Sequence, residues 1–120
     1  MDEQRRAVVC DDDPMIVMVA SMLLQREGFG VTAVGTGAEL ADVLMPNPPT
    51  LVILDHELPD ATGDELVRVI EAAAPACRVI LFSGRETPDA AGVNVFARVP
   101  KRGTEELAAA IRRAAGDDPA

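Results

Sequence analysis

The stretch "LVILDHELPDATGDEL", residues 51–66, decides the fold. Its first four residues are apolar without alternation, which is typical of a strand covered on both faces of a parallel sheet. The strand ends in a carboxylate, Asp55, and an acid at the edge of a core needs a partner for its charge. Thr62 and Glu65 follow at capping-box spacing and predict a helix start. The stretch therefore predicts a strand, a loop and a helix, with a functional acid at the strand end.

The same unit recurs along the chain. Strands are predicted at residues 5–10, 30–34, 50–55, 77–83 and 95–99. Helices are predicted at residues 14–28, 36–45, 62–75 and 104–116, with Asp13 as the cap of the first and Gly28 at its end. A further helix between the fourth and fifth strands is expected to be short or mobile. Alternating strands and helices predict an α/β fold, a doubly wound, flavodoxin-like parallel sheet of order 2-1-3-4-5 with helices on both faces.

Length and charge limit the possible functions. With 120 residues, we expect one domain over 1–120 with a core of about 6–115. The net charge of −9 disfavours nucleic acid and anionic membranes as partners of this domain. No 18-residue apolar run and no signal peptide is recognised, so a cytoplasmic location is expected. Cys10 and Cys77 match no metal spacing and are expected to be buried thiols, and the oligomeric state is left open.

The strand ends carry the chemistry. In a doubly wound sheet, sites lie beyond the carboxyl ends of the strands. Asp11, Asp12 and Asp55 follow the first and third strands, and converging carboxylates favour a hard cation such as Mg²⁺. Ser83 and Lys101, at the ends of the fourth and fifth strands, can hold an anion. The pattern predicts phosphoryl transfer to Asp55 as the nucleophile.

The segments "VVCDDDP", "LVILDHELPDATGDEL", "LFSG" and the lysine of "VPK" together resemble the receiver domain of bacterial two-component response regulators. The resemblance implies that Asp55 is phosphorylated from a phosphohistidine of a histidine kinase or a histidine phosphotransfer protein. It implies Mg²⁺ bound by Asp12 directly, by Asp11 largely through water, and by Asp55 and the backbone carbonyl of Glu57. It also implies a signalling switch or relay that catalyses only its own phosphorylation and dephosphorylation.

The resemblance further implies that Ser83, Gly84 and Lys101 contact the phosphoryl group. Two features depart from the family pattern. Arg102 follows Lys101 where the family usually has proline, and Arg98 stands where the family usually has a switching aromatic ring. Phe96 lies two residues earlier, so the aromatic switch is in question.

Two hypotheses concern residues around this site. The first helix is apolar on both sides, so we expect the phosphodonor to dock on it, through Met15, Val17, Met18 and Met22. Glu57 and Arg85 are expected to flank the acceptor as a gate that slows hydrolysis.

Ordinary structural roles for some residues, and other functions for the chain, remain open. His56 is expected at the surface, with its side chain directed away from Asp55, and Asp60 is expected to be a solvated loop acid. A receiver-like interaction module that works without phosphate is the main alternative. A haloacid dehalogenase-type phosphatase would need a second aspartate where "DHEL" has Glu57. A nucleotide-binding fold is disfavoured because three aspartates follow the first strand.

Overall fold

The computed structural model describes residues 5–45, 47–83, 95–101 and 103–116. Five strands form one sheet: β1 (Arg5–Cys10), β2 (Phe29–Val34), β3 (Leu51–Asp55), β4 (Arg78–Ser83) and β5 (Val95–Pro100). Four helices lie within the described residues: α1 (Pro14–Arg26), α2 (Gly37–Val43), α3 (Gly63–Ala73) and α4 (Thr104–Gly116). All strand pairs are parallel in the order β2-β1-β3-β4-β5, which confirms the predicted topology.

Successive residues of each central strand belong to opposite cores. Val9 and Ile53 face a core closed by α1 and α4. Val8 and Val52 face a second core closed by α2 and α3. Because both faces of the sheet are covered, each central strand has a run of four consecutive apolar residues, such as Ala7–Cys10 in β1 and Leu51–Leu54 in β3.

Side-chain caps fix where the helices begin. The Asp13 carboxylate accepts a hydrogen bond from Met15 N (2.9 Å), as predicted. Thr62 and Glu65 form the predicted reciprocal capping box at the start of α3. At α2, Thr36 accepts from Glu39 N, but Glu39 Oε1 accepts from Gly35 N. Gly28 follows α1 with a φ of 91°, a conformation that glycine adopts without strain.

Three further expectations concern a helix, the cysteines and membrane-spanning segments. The short helix expected between the fourth and fifth strands lies outside the described residues. Both cysteines are buried, and burial raises the pKa of the Cys77 thiol to about 12. None of the helices in the described ranges combines the length and hydropathy that a transmembrane span requires.

Candidate metal and phosphoryl-transfer site

Strand register places the predicted acids side by side. Cys10 pairs with Leu54, so the residues that follow β1 lie next to the last residue of β3, Asp55. Oxygen atoms of Asp11, Asp12 and Asp55 all lie within 4.8 Å of one another. Asp11 and Asp55 are buried, whereas Asp12 is exposed. The cluster thus opens to solvent on the side of Asp12.

Lys101 joins this cluster from the end of β5. Its Nζ lies 2.8 Å from Asp11 Oδ2 and 3.4 Å from Asp55 Oδ1. Burial alone would lower the pKa of Lys101, but the two carboxylates outweigh burial and raise it. The ammonium therefore remains charged beside both acids.

Opposing effects act on the pKa of the Asp55 carboxyl group. Burial raises the pKa of its carboxyl group above the ordinary value, and the neighbouring Asp11 charge raises it further. A hydrogen bond from Glu57 N (3.2 Å) and the Lys101 charge act in the other direction. A bound cation would relieve the remaining repulsion between these acids.

The donor set fits Mg²⁺. Mg²⁺ prefers oxygen ligands, keeps several waters and is usually held by one or two carboxylates, and a cluster with one exposed acid leaves room for water. Asp11 is partly engaged already, because its Oδ1 accepts a hydrogen bond from Asp13 N (2.9 Å).

The loop after Asp55 is a tight, ordered turn. We call residues 56–62 the acceptor loop. Leu58 N donates to Ala61 O (3.1 Å), and Glu57 and Thr62 form an antiparallel bridge. Gly63 N then donates to the carbonyl of His56 where α3 begins. The backbone of Glu57, the predicted fourth ligand, is thereby held close to Asp55.

Several predicted residues are not brought into this picture. Ser83 ends β4 opposite Pro100, which places its backbone one strand away from Asp55. The side chain of Ser83, and Gly84 and Arg85 entirely, lie outside the described residues. Phosphoryl contacts by Ser83 and Gly84 and the gate between Glu57 and Arg85 remain predictions.

Helix α1 presents three methionines to solvent. Met15, Met18 and Met22 are 63%, 54% and 56% exposed. These three residues form the surface that we call the methionine stripe. Val17 does not belong to it, because Val17 is half-buried and packs against the core. Val17 lines the groove described next, so its assignment to the docking surface remains a prediction.

A groove connects the methionine stripe with the acidic cluster. It has a volume of about 560 Å³, and its lining includes Pro14, Val17 and Met18 of α1, Thr36, and Pro59 of the acceptor loop. Asp11 and Asp12 line the same groove. A partner lying along α1 would therefore reach the acids through a mostly apolar channel.

Asp60 and His56 have surroundings that the sequence did not predict. Asp60 is an exposed loop acid, as predicted, but its carboxylate also accepts hydrogen bonds from Gly37 N (2.8 Å) and Ala38 N (3.1 Å). His56 is half-buried, and its Nδ1 lies only 2.8 Å from the position of a Cβ added to Gly63. The expectation of an exposed His56 was thus wrong. Only the sheet order, which brings α2 beside the acceptor loop, could have revealed the role of Asp60.

Comparisons with known proteins agree with this geometry. A family model described as the response regulator receiver domain matches residues 7–112. The DNA-binding response regulator MtrA of Mycolicibacterium smegmatis is 31% identical, and the match covers all of this chain and 56% of MtrA. The transcriptional regulatory protein YkoG of Bacillus subtilis is also 31% identical, over 93% of this chain and 51% of YkoG. The chain thus spans about half the length of these curated relatives.

Solved structures show the same fold. The BeF3-activated DrrB receiver domain superposes with a TM-score of 0.79 at 28% identity, covering 93% of this chain and 97% of that receiver-domain chain. The response regulator TrrA of Thermotoga maritima, in complex with Mg(2+)-BeF, has a TM-score of 0.80 at 26% identity, covering 92% and 98%.

Proposed function

Because the chain belongs to the response regulator receiver domain family, we propose that Asp55 accepts a phosphoryl group from a phosphohistidine of a histidine kinase or phosphotransfer protein. One observation carries the proposal: Asp11, Asp12 and Asp55 share a 4.8 Å cluster, and Lys101 contacts two of them. We take residues 1–120 to be a single receiver domain that acts as a switch or relay.

The transfer exchanges one bond to phosphorus for another. An Asp55 carboxylate oxygen forms the new phosphorus–oxygen bond as the donor's phosphorus–nitrogen bond breaks, and the electron pair stays on the imidazole nitrogen. In this proposal Lys101, which contacts Asp11 and Asp55 in the structure, shifts to the incoming phosphoryl oxygens. Ser83 and Gly84 complete the proposed set of phosphoryl contacts.

Mg²⁺ is the proposed cofactor, held by Asp11, Asp12, Asp55 and the Glu57 carbonyl. When bound, it supplies positive charge to the transferring phosphoryl oxygens. The protein's own contribution is to hold Asp55 in line and to keep the lysine charged. Water later hydrolyses the acyl phosphate, and Glu57 with Arg85 is the proposed gate against that attack.

The methionine stripe is the proposed docking surface for the phosphodonor. Exposed methionines adapt to different partner surfaces, and the groove leads from them to the acidic cluster. We propose no nucleic-acid or membrane contact by this domain.

A direct test is incubation with Mg²⁺ and acetyl phosphate, followed by intact-mass measurement. We expect a mass increase of one phosphoryl group that disappears without Mg²⁺ and in the Asp55→Asn variant. Asp64→Asn is the matched control, since Asp64 lies in the first turn of α3, and it should be phosphorylated normally. Modification that persists in Asp55→Asn would refute the acceptor assignment. No modification of the wild-type chain would favour the phosphate-independent module.

A further inference from the structure

Asp60 connects the acceptor loop to a helix that follows a different strand. Its two carboxylate oxygens accept hydrogen bonds from Gly37 N (2.8 Å) and Ala38 N (3.1 Å) at the start of α2. These two N–H groups lower the pKa of Asp60. One side chain thus binds two backbone groups that are 22 and 23 residues away in sequence.

The contact between the loop and α2 is close as well as polar. A Cβ added to Gly37 would lie 3.1 Å from Cβ of Ala61 and 3.0 Å from Cδ2 of Leu66. Glycine at position 37 is what permits this approach. The acceptor loop and α2 therefore fit against each other with little room to shift.

The other end of this connection returns to the metal ligands. Gly35 lies just before α2, and a Cβ added there would lie 3.9 Å from the carbonyl oxygen of Asp11 and 4.0 Å from Cα of Asp12. Asp11 N donates to Val34 O (3.0 Å), which joins the β1 end to the same segment. A closed ring of contacts therefore runs from Asp55 through the acceptor loop and Asp60 to α2, and back to Asp11 and Asp12.

We propose that Asp60 is a positioning residue, which holds the acceptor loop against α2 so that the Glu57 carbonyl and Asp55 stay in register with Asp11 and Asp12. This inference rests on the proposed function, because it concerns the Mg²⁺ and phosphoryl site proposed there. Removing a group that holds a metal ligand in place commonly lowers the metal affinity by roughly 10- to 100-fold.

Helix capping alone does not account for Asp60. The start of α2 already has its own caps, with Thr36 Oγ1 accepting from Glu39 N (3.1 Å) and Glu39 Oε1 accepting from Gly35 N (2.7 Å). Neither of these bonds involves the acceptor loop. Thr36→Ala therefore weakens the same helix end without releasing the loop, which makes it a matched structural control.

The test measures Mg²⁺ affinity of the full 120-residue chain by titration, followed through backbone amide signals, alongside urea denaturation. We expect Asp60→Ala to weaken Mg²⁺ binding about tenfold. Asp60→Asn keeps one acceptor oxygen and should fall between Asp60→Ala and wild type. Thr36→Ala should lower the denaturation midpoint yet keep wild-type Mg²⁺ affinity. Glu39→Gln controls for the loss of one nearby negative charge, which is largely screened at physiological salt.

The outcomes separate the two proposals. If wild type binds Mg²⁺ and is phosphorylated but Asp60→Ala matches Thr36→Ala or Glu39→Gln in affinity, Asp60 is only a cap or only a charge, and the positioning role is wrong. If wild type neither binds Mg²⁺ nor is phosphorylated, the proposed function fails and the positioning role fails with it.

Discussion

Nζ of Lys101 lies 2.8 Å from Oδ2 of Asp11. The lysine therefore lies closer to Asp11 than to Asp55, the proposed acceptor. The distance to Asp55 is longer, at 3.4 Å. A lysine bound mainly to Asp11 occupies the region into which a cation would be drawn. Lys101 and Mg²⁺ are therefore expected to compete for the carboxylates before phosphorylation. After phosphorylation, both positive charges are expected to stabilise the phosphoryl group.

Replacing Lys101 by methionine should change two measurements in opposite directions. Mg²⁺ affinity should rise, on the order of tenfold, because a positive charge close to the binding acids is removed. Phosphorylation by acetyl phosphate should slow at least about tenfold, because the phosphoryl oxygens lose a charged partner. Amide-detected Mg²⁺ titration and intact-mass time courses measure the two effects.

Lys101→Arg is the matched control because it preserves the charge. Its Mg²⁺ affinity should stay near that of wild type. A fall in Mg²⁺ affinity in Lys101→Met would contradict the competition between lysine and metal.

Much of the fold could be predicted from local sequence patterns. Unbroken apolar strands indicate a sheet that is covered on both faces, and Thr62 with Glu65 fixes the start of a helix by local hydrogen bonds. The ends of neighbouring parallel strands must meet, so Asp11 and Asp55 could be placed together from sequence alone.

Other features depend on contacts that a pattern does not contain. The partial burial of Val17 was not predicted, because α1 is apolar around most of its circumference and its sequence does not show which side faces the sheet. Asp60 was missed because its hydrogen bonds reach a helix distant in sequence. His56 was misjudged because Gly63 leaves space for a ring to pack, which only the three-dimensional approach reveals.

The C-terminal end of α4 is stabilised by arginines from the sheet. Arg78 donates to the carbonyl of Ala114 (3.1 Å), and its guanidinium lies 5.1 Å from the centre of the Phe96 ring. Arg78→Met should lower the free energy of unfolding by about 1–2 kcal/mol, through loss of a helix-end cation and of the ring contact. Urea denaturation measures this loss. Arg112→Met, an exposed change on α4, should stay within about 0.5 kcal/mol of wild type.

Phe96 should not respond to phosphorylation. The guanidiniums of Arg78 and Arg113 lie 5.1 and 5.3 Å from the centre of its ring, which is near the start of β5, whereas Lys101 follows the end of that strand. Phe82 is the internal control, because Nζ of Lys101 lies 5.8 Å from its ring centre. With three Phe and no Tyr or Trp, the ring signals can be resolved by NMR. Adding beryllofluoride and Mg²⁺ should shift the Phe82 signals clearly and the Phe96 signals little.

An equal shift of both rings would overturn that expectation. It would mean that Phe96 takes over the switching role of the aromatic ring that Arg98 replaces.

Asp60 should also make stability depend on pH. Its pKa is lowered in the folded state by Gly37 and Ala38 N–H, so its stabilisation is present above the unfolded pKa of about 3.9 and is lost as pH falls through the folded pKa. Glu39, the other acid at this helix start, is unchanged in the variant. The denaturation midpoint of wild type should exceed that of Asp60→Asn near pH 6, and the gap should close towards pH 3, roughly. Asp42→Asn, an exposed change on the same helix, is the control for the loss of one negative charge there. A gap that is constant with pH would show that ionised Asp60 contributes nothing.

The methionine stripe should matter only when the phosphodonor is a protein. Met18 and Met22 are exposed, so glutamates there should leave the fold intact, whereas a glutamate at the half-buried Val17 would disturb the core. Met18→Glu/Met22→Glu should slow phosphotransfer from a phosphorylated histidine phosphotransfer protein at least about tenfold, since it places charge in an apolar contact. Labelling by acetyl phosphate should stay at the wild-type rate. Met45→Glu is the matched control, because Met45 is equally exposed at 55% but lies beyond the end of α2 and does not line the groove. Equal slowing with both phosphodonors would mean that the substitutions damage the acceptor site, and the docking assignment would then be wrong.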